Sequence, residues 1–343
     1  MSHFIIFFLH NCNIFAKRYA TRRMKITYLH KQDWRGLFGF SSVRAICVLT
    51  VLAGILLAKT AQGQIYVSSW NADTVGEYTT SGATVNAALV SGLNRPYGVA
   101  LDGNGNLFVA NQPSGTIGEY TTSGAVVNAA LVSGLNTPLG LVSDGNGHLF
   151  VANEGNNTIG EYTTSGATVN AALITGLDYP FSLALDGAGH LFVANDGNGM
   201  VGEYTTSGAT VNASLISVGF GGLWGIAADE NNVFVSCLGL GLSGGSIGKY
   251  TTSGAVVNAA LVSGLNCPLG LALDGNGDLF VASANSSSVG EYTTSGAVVN
   301  AALLSGLDHP TFMAVVPEPS SAVLAVLGSA LLTFRRMIRR VRV

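Results

Sequence analysis

Positive charge is nearly missing from the middle of this chain. Between Gln64 and Val316 the only cations are Arg95 and Lys249, against 17 Asp and Glu residues, a balance of −15. A surface of that kind cannot release counterions from a phosphate backbone, which excludes nucleic acid as a partner. All other Lys and Arg lie at or before Lys59 or from Arg335 onward, so the formal charge of −3 averages an acidic body and two basic ends. Cysteine is scarce as well. Of four residues, Cys12 and Cys47 precede residue 64, and only Cys237 and Cys267 remain beyond it. Two thiols cannot build a disulfide scaffold, though an exported protein could join them once. Long apolar runs are also lacking. The run Ala45–Ala58 falls short of the roughly 20 residues that a helical membrane span needs.

What the chain has is repetition. GEYTTSGA begins at Gly76, Gly118, Gly160, Gly202 and Gly290, and GKYTTSGA begins at Gly248. The spacings between successive starts are 42, 42, 42, 46 and 42. A period in the low forties made of short β-type runs is the mark of a propeller blade. In one copy, GVALD (98–102) reads as a first strand and the following DGNG (102–105) as a tight hairpin. LFVAN (107–111) is the second strand, TIGEYTT (116–122) the third and AALVSGL (129–135) the outer one. Second-strand runs begin at residues 65, 107, 149, 191, 233 and 279, and first-strand runs at 98, 140, 182, 225, 270 and 312.

These counts predict an all-β, six-bladed propeller over residues 64–316, with one blade to each repeat. The segment starts on a second strand with no first strand before it, and ends on a first strand with no second strand after it. Pairing 312–316 with 65–69 closes the ring. Apolar helices are expected in both flanks, 1–63 and 317–343.

The run LALDGNGxLFVAN followed by xIGEYTTSG resembles NHL-type propellers across residues 64–316. That resemblance implies the fold and leaves function open, because such propellers include binding modules and enzymes. The DGNG and TTSG turns share one face of the disc and scarcely vary, whereas the loops on the other face do. A ligand is therefore expected on the variable face, at Asn111, Asn153, Glu154, Asn195, Asp196, Trp224 and His309. The asparagines could bind a polyol or sugar, or could cap the second strands. A Cys237–Cys267 bridge clipping the long loop after Cys237 is one reading of that pair, and two free thiols are the other.

Other motifs read as framework. Asp274-Gly-Asn276-Gly-Asp278 imitates the start of a calcium loop, yet recurs at the hairpins and lacks the later ligands. The repeated Glu77, Glu119, Glu161, Glu203 and Glu291 follow the blade. His148 and His190 occupy a hairpin position held elsewhere by Asn106 and Asp278. Gluconolactonase-like propellers, which the architecture also resembles, imply a divalent metal on carboxylate and amide ligands at the central channel. The channel-mouth positions here read Gly98, Gly140, Ser182, Gly225, Gly270 and Met313, so no carboxylate supports that implication. No metal and no cofactor are expected. A resemblance to streptogramin-lyase-type propellers implies a base and a metal on the variable face, for which Glu154, Asp196 and His309 are the available groups.

The flanks read as addresses. Lys25, Lys31, Arg35 and Arg44 precede the apolar run, and Ala61-Gln62-Gly63 is a small-x-small cleavage site, so residues 1–63 form a leader with a signal peptide. Met24 is the more ordinary start, and a permanent N-terminal anchor is the alternative. Pro317-Glu318-Pro319, an apolar stretch (322–334) and the cluster Arg335, Arg336, Arg339, Arg340 and Arg342 resemble the PEP-CTERM sorting signal. The resemblance implies membrane parking, an exosortase-type sorting enzyme as partner, and delivery to the envelope, surface or extracellular matrix of a Gram-negative bacterium. A simple C-terminal anchor would give the same topology. The sequence favours an exported, surface-associated binding or structural module in an exopolysaccharide or envelope setting. A propeller lyase or lactonase is the competing class.

Overall fold

The computed structural model of this protein describes residues 63–219, 222–238 and 244–316. They form six four-stranded antiparallel sheets, five built from consecutive strands and one shared by the two ends. The leader, the expected flanking helices and the sorting segment lie outside the described residues. Among the described residues no helix is long and apolar enough to cross a membrane.

One blade explains the others. Its strands are Pro96–Leu101, Asn106–Asn111, Thr116–Thr121 and Val126–Ser133. Leu107, Phe108, Val109 and Ala110 are all fully buried, although a strand alternates its faces. The reason is that both faces meet protein. Leu107 and Val109 pack with Val75 and Val90 of the preceding blade, whereas Phe108 and Ala110 pack with Leu149 and Val151 of the next. A uniformly apolar strand is what a sheet stacked on two sides requires.

The GEY motif is a packing device. The tyrosines at 78, 120, 162, 204, 250 and 292 are all buried. A Cβ at Gly118 would lie 2.7 Å from the Tyr120 hydroxyl, so glycine leaves room for the ring two residues on. The outer strand differs from expectation. It begins at Val126 rather than residue 129, because pairing resumes directly after the turn: Tyr120 faces Val126 and Glu119 faces Asn128. A bulge follows before Ile117 meets Val132. Asn128 Oδ1 accepts the Ala130 N–H there, and all six blades repeat this bond. The outermost edge is thus exposed but blunted by a bulge and a side-chain acceptor, which hinders edge-to-edge pairing.

Closure occurs as the ends of the repeat require. Pro310–Val316 pairs antiparallel with Gln64–Ser69, with Gln64 opposite Val316 and Val67 opposite Met313. The seam carries polar bonds at a second-strand position where four other blades place alanine and the fifth places Ser236. Ser68 and Thr311 are fully buried; their hydroxyls meet at 2.9 Å, Thr311 donates to the Pro96 carbonyl, and Phe312 N–H donates to Ser68 Oγ.

The hairpin face is acidic by construction. Asp102 Oδ1 accepts the N–H groups of Asn104 and Asn106, and the same turn recurs at Asp144, Asp186, Asp229 and Asp274. The residue that closes the turn also reaches its aspartate. Asn106 Nδ2 donates to Asp102, and His190 Nδ1 lies 2.6 Å from Asp186 Oδ2. Burial raises the Asp186 carboxyl, but the bonds from His190 and the backbone outweigh it and its pKa falls. The bond to Asp186 pushes the His190 pKa up. Stability from His190 is complete below the unfolded imidazole pKa, near 6.5, and fades as pH rises through the higher folded value. Stability from Asp186 is complete above about pH 4 and fades as pH falls through its lower folded value. The pair is thus fully effective at about pH 4–6.5. His190→Asn should remove a decline of a few tenths of a kcal/mol above pH 6.5, the scale of an exposed pair. Thermal melts of both proteins from pH 5 to 8 check it; parallel profiles would show that the pair contributes nothing.

Candidate functional site

The variable face is built on a strained backbone position repeated once per blade. Arg95, Thr137, Tyr179, Cys267 and His309 all have φ between 45 and 60°, and Gly222 takes the sixth place at 67°. Each carbonyl there accepts the N–H of the residue just past a second strand: Gln112, Glu154, Asp196, Ala284, Trp70 and Leu238, respectively. The left-handed conformation is costly for residues with a Cβ and is held here by the surrounding bonds. Since the backbone makes the repeated contacts, the side chains are free to differ.

One level deeper stands a layer of rings. Tyr97, Leu139, Phe181, Trp224 and Leu269 occupy one equivalent position of five first strands. The next position is Gly98, Gly140, Ser182, Gly225 and Gly270, where neighbouring first strands touch. A Cβ at Gly140 would come within 2.8 Å of Ser182 Cα, and one at Gly98 or Gly270 would strike the backbone of the next blade. The sixth residue of this ring is Phe312, not Met313. Met313 pairs with Val67 as Val99 pairs with Val109, which moves the equivalence by one residue. A phenylalanine therefore fills the space that five tiny residues leave. Its ring centroid lies 6.0 Å from that of Phe181 and 6.5 Å from that of Tyr97; Phe181 also stacks on Trp224 at 5.8 Å.

This layer floors a cavity of about 620 Å³ on the variable face, bordered by Tyr97, Phe181, Trp224, Cys267, Asn285 and His309. Below it, the channel toward the hairpin face encloses about 340 Å³ between the first strands. Two sequence-predicted residues, Trp224 and His309, stand on the cavity wall. His309 also lies 5.4 Å from Trp70, whose ring carries the Arg95 guanidinium at 4.8 Å. Glu154 and Asp196 sit behind the wall rather than on it. Asp196 accepts the Leu223 N–H at 3.1 Å and bonds the Trp224 side chain, which fixes that ring. Burial raises the Asp196 pKa against those bonds. Burial, then the charge of Asp196, raises that of Glu154. Burial raises Tyr97 too, helped by Glu154, so its hydroxyl keeps its proton.

The asparagines do not join the cavity. Asn111 Oδ1 accepts the Asn94 N–H and Asn195 Oδ1 that of Asp178, which is capping of the inter-blade loop. Asn153 is buried, with its Oδ1 unpartnered among the described residues. Cys237 and Cys267 are free thiols, which corrects the bridged reading. They face different surroundings: Cys237 packs among the side chains between two blades, whereas Cys267 borders the ring layer. Burial pushes the Cys237 thiol up to about 11 and raises Cys267 as well, so neither is an activated nucleophile. Residues 239–243 of the long loop lie outside the described residues. Tyr97, Phe181 and Phe312 were absent from the sequence-derived site. Their signal is the second ring-bearing position after the variable loop, one to two residues past each inter-blade proline.

Comparison with protein families gives one match, to the virginiamycin B lyase family model, over residues 50–234 and so just over half of the sequence. The chain belongs to that family. Comparison with curated protein sequences finds no match. Solved structures agree with membership at the level of fold. A catalytically inactive virginiamycin B lyase from Staphylococcus aureus with quinupristin superposes with a TM-score of 0.53 and 17% identity, covering 76% of this chain and 93% of that one. The gluconolactonase XC5397 from Xanthomonas campestris gives 0.54 and 14%, covering 72% and 84%. A chain of a nidogen/laminin complex gives 0.56 and 11%, covering 75% and 99%. These structures share the propeller fold of this chain.

Proposed function

We propose that this protein is a lyase- or lactonase-type propeller that opens an ester ring in an apolar cyclic ligand. The observation that carries the reading is the ring-floored cavity on the variable face, bordered by the titratable side chains of Tyr97 and His309. Family membership favours it over the binding-module reading. Tyr97, Phe181 and Trp224 offer flat apolar surface to a ligand body, while His309 and Tyr97 supply a base and a proton donor. In an elimination, the His309 imidazole takes a proton from carbon, those electrons form a double bond, and the ring C–O bond breaks to release a carboxylate. In a hydrolysis, the same base takes a proton from water, the hydroxide adds to the carbonyl carbon, the ring acyl C–O bond breaks, and the leaving alkoxide takes the proton back from the imidazolium. Asp196 positions Trp224 through its side-chain bond, and the charge of Glu154 helps to hold the Tyr97 proton. A divalent metal of the gluconolactonase kind has no matching donors: the channel mouth is lined by glycine, serine and Phe312, and no cluster suited to an ion occurs among the described residues.

Mass spectrometry of cyclic depsipeptides and lactones incubated with the full-length protein tests the proposal. Elimination leaves the mass unchanged and creates an absorbing double bond; hydrolysis adds one water. His309→Gln should lower the rate by about 100-fold or more, the scale of a lost general base. Binding without any ring opening would sink the enzymatic reading and leave a binding module for a polysaccharide or envelope component. We also propose that the chain is exported and held at the envelope through residues 317–343. The Pro317-Glu318-Pro319 motif, the apolar stretch and the arginines support that address, with the membrane and a sorting enzyme as partners.

A further inference from the structure

The described body divides its charge unequally between its two faces. Asp73, Glu154, Asp178, Asp196 and Asp308 belong to the variable face, together with Arg95. The other twelve carboxylates belong to the hairpin turns and the GEY strands behind them. Lys249 stands where the other blades carry the GEY glutamate, and it is already engaged: its Nζ donates to the Thr294 carbonyl at 3.0 Å and lies over the Phe234 ring. His148 and His190 are likewise held at their own turns by Asp144, Glu161 and Asp186. Six of the twelve, Glu77, Asp102, Glu161, Asp186, Glu203 and Asp274, are buried; the hairpin face therefore presents Glu230, which is exposed, and the half-buried Glu119, Asp144, Asp229, Asp278 and Glu291, with no free Lys or Arg among the described residues.

The chain leaves the propeller on that same face. Gln64 pairs with both Thr79, which opens a TTSG turn, and Val316. Val316 takes the place that Asp102, Asp144 and Asp186 hold in their blades, at the rim of the channel. The segment 317–343 that follows carries five arginines between 335 and 342 and one carboxylate, Glu318. Eighteen residues separate Val316 from Arg335. At about 3.3 Å each they span up to roughly 60 Å, and a blade of four strands about 4.8 Å apart is only roughly 20 Å deep. Each of the six accessible carboxylates is within reach.

We propose that the arginine segment 335–342 docks on the acidic hairpin face of its own propeller when it is not engaged elsewhere. The attraction is that of several arginine–carboxylate pairs brought together by a tether, which makes the encounter intramolecular. The face that carries the candidate cavity stays open, since the docking surface is the opposite one. Engagement of the arginines by anionic lipid would compete with the face.

Trypsin, which cuts after arginine, reads the docking directly in the full-length protein kept soluble in a non-ionic detergent. At low salt the sites at 335–342 should be cut about tenfold more slowly than at 0.5 M salt, because exposed pairs are individually weak and screened. The triple variant Glu230→Gln, Asp278→Asn, Glu291→Gln should release most of that protection at low salt, while its unchanged melting temperature shows an intact fold. Equal cutting at both salt levels would overturn the proposal. Protection that survives salt and the triple variant would place the arginines on the detergent surface and overturn it too.

Discussion

Deletion of residues 310–316 is expected to give a protein that aggregates at concentrations where the intact chain is soluble, and that loses its cooperative melt. The deleted strand is the only connection that makes the sixth blade a sheet of four. Without it, Gln64–Ser69 becomes an exposed edge whose N–H and C=O groups have lost their ladder. Phe312 and Met313 are 8% and 5% exposed, and losing two such side chains costs roughly 3–6 kcal/mol in burial alone. Ser68 loses its Thr311 and Phe312 partners as well and keeps only its bond to the Tyr97 carbonyl. Together these approach the whole stability of an ordinary domain, about 5–15 kcal/mol. Thr311→Val is the milder companion: it keeps the strand and should lower stability by only about 1–3 kcal/mol. Light scattering after gel filtration, dye binding and thermal melts separate the two. A soluble deletion variant melting at the normal temperature would show that the ring is not held shut by this seam.

Much of this architecture could be read without coordinates, and the reasons are local. GEYTTSGA fixes the period because its glycine, tyrosine and turn residues each answer a steric demand repeated in every blade. The truncated runs at the two ends state the closure, since a lone second strand and a lone first strand have only each other. The register of the last blade was harder. Counting apolar residues assigns Met313 to the channel mouth, yet counting from the inter-blade prolines sets Phe312 against Gly98, because Pro96 and Pro310 both stand two residues earlier. The outer strand was placed late because Asn128, a poor strand former, sits at a bulge where its side chain satisfies the chain itself. Of the site, His309 and Trp224 were legible as polar and aromatic exceptions to the repeat. Tyr97 and Phe181 were not, since a lone aromatic in an apolar strand looks like core until six strands converge on one axis. Cys237 and Cys267, on loops of one face, are free thiols in different surroundings, the first packed between two blades and the second beside the ring layer, which sequence position alone does not show.

The waist of the ring yields the second large effect. Gly225→Ala should lower stability by about 3 kcal/mol, near the upper end for forcing a methyl into a packed core, and the melting temperature by about 6–12 °C. Gly225 has an ordinary φ, so alanine meets no conformational penalty there. The obstacle is the next blade: the added Cβ would collide with the Leu269 carbonyl and lie 2.8 Å from Ser236 Oγ. That hydroxyl accepts the Gly225 N–H at 2.7 Å and donates to the Leu269 carbonyl at 3.1 Å. A methyl group would therefore wedge two first strands apart and break the bridge between them. Gly103→Ala gives the contrasting case. Its φ of +75° penalises a side chain, but nothing stands within 4 Å of the new Cβ. Its cost should be only the left-handed strain, about 1–2 kcal/mol, or roughly 2–8 °C. The steric account requires the larger loss at Gly225. Equal losses, or a larger one at Gly103, would mean that the first strands yield at the channel mouth and that backbone contact does not explain the glycines.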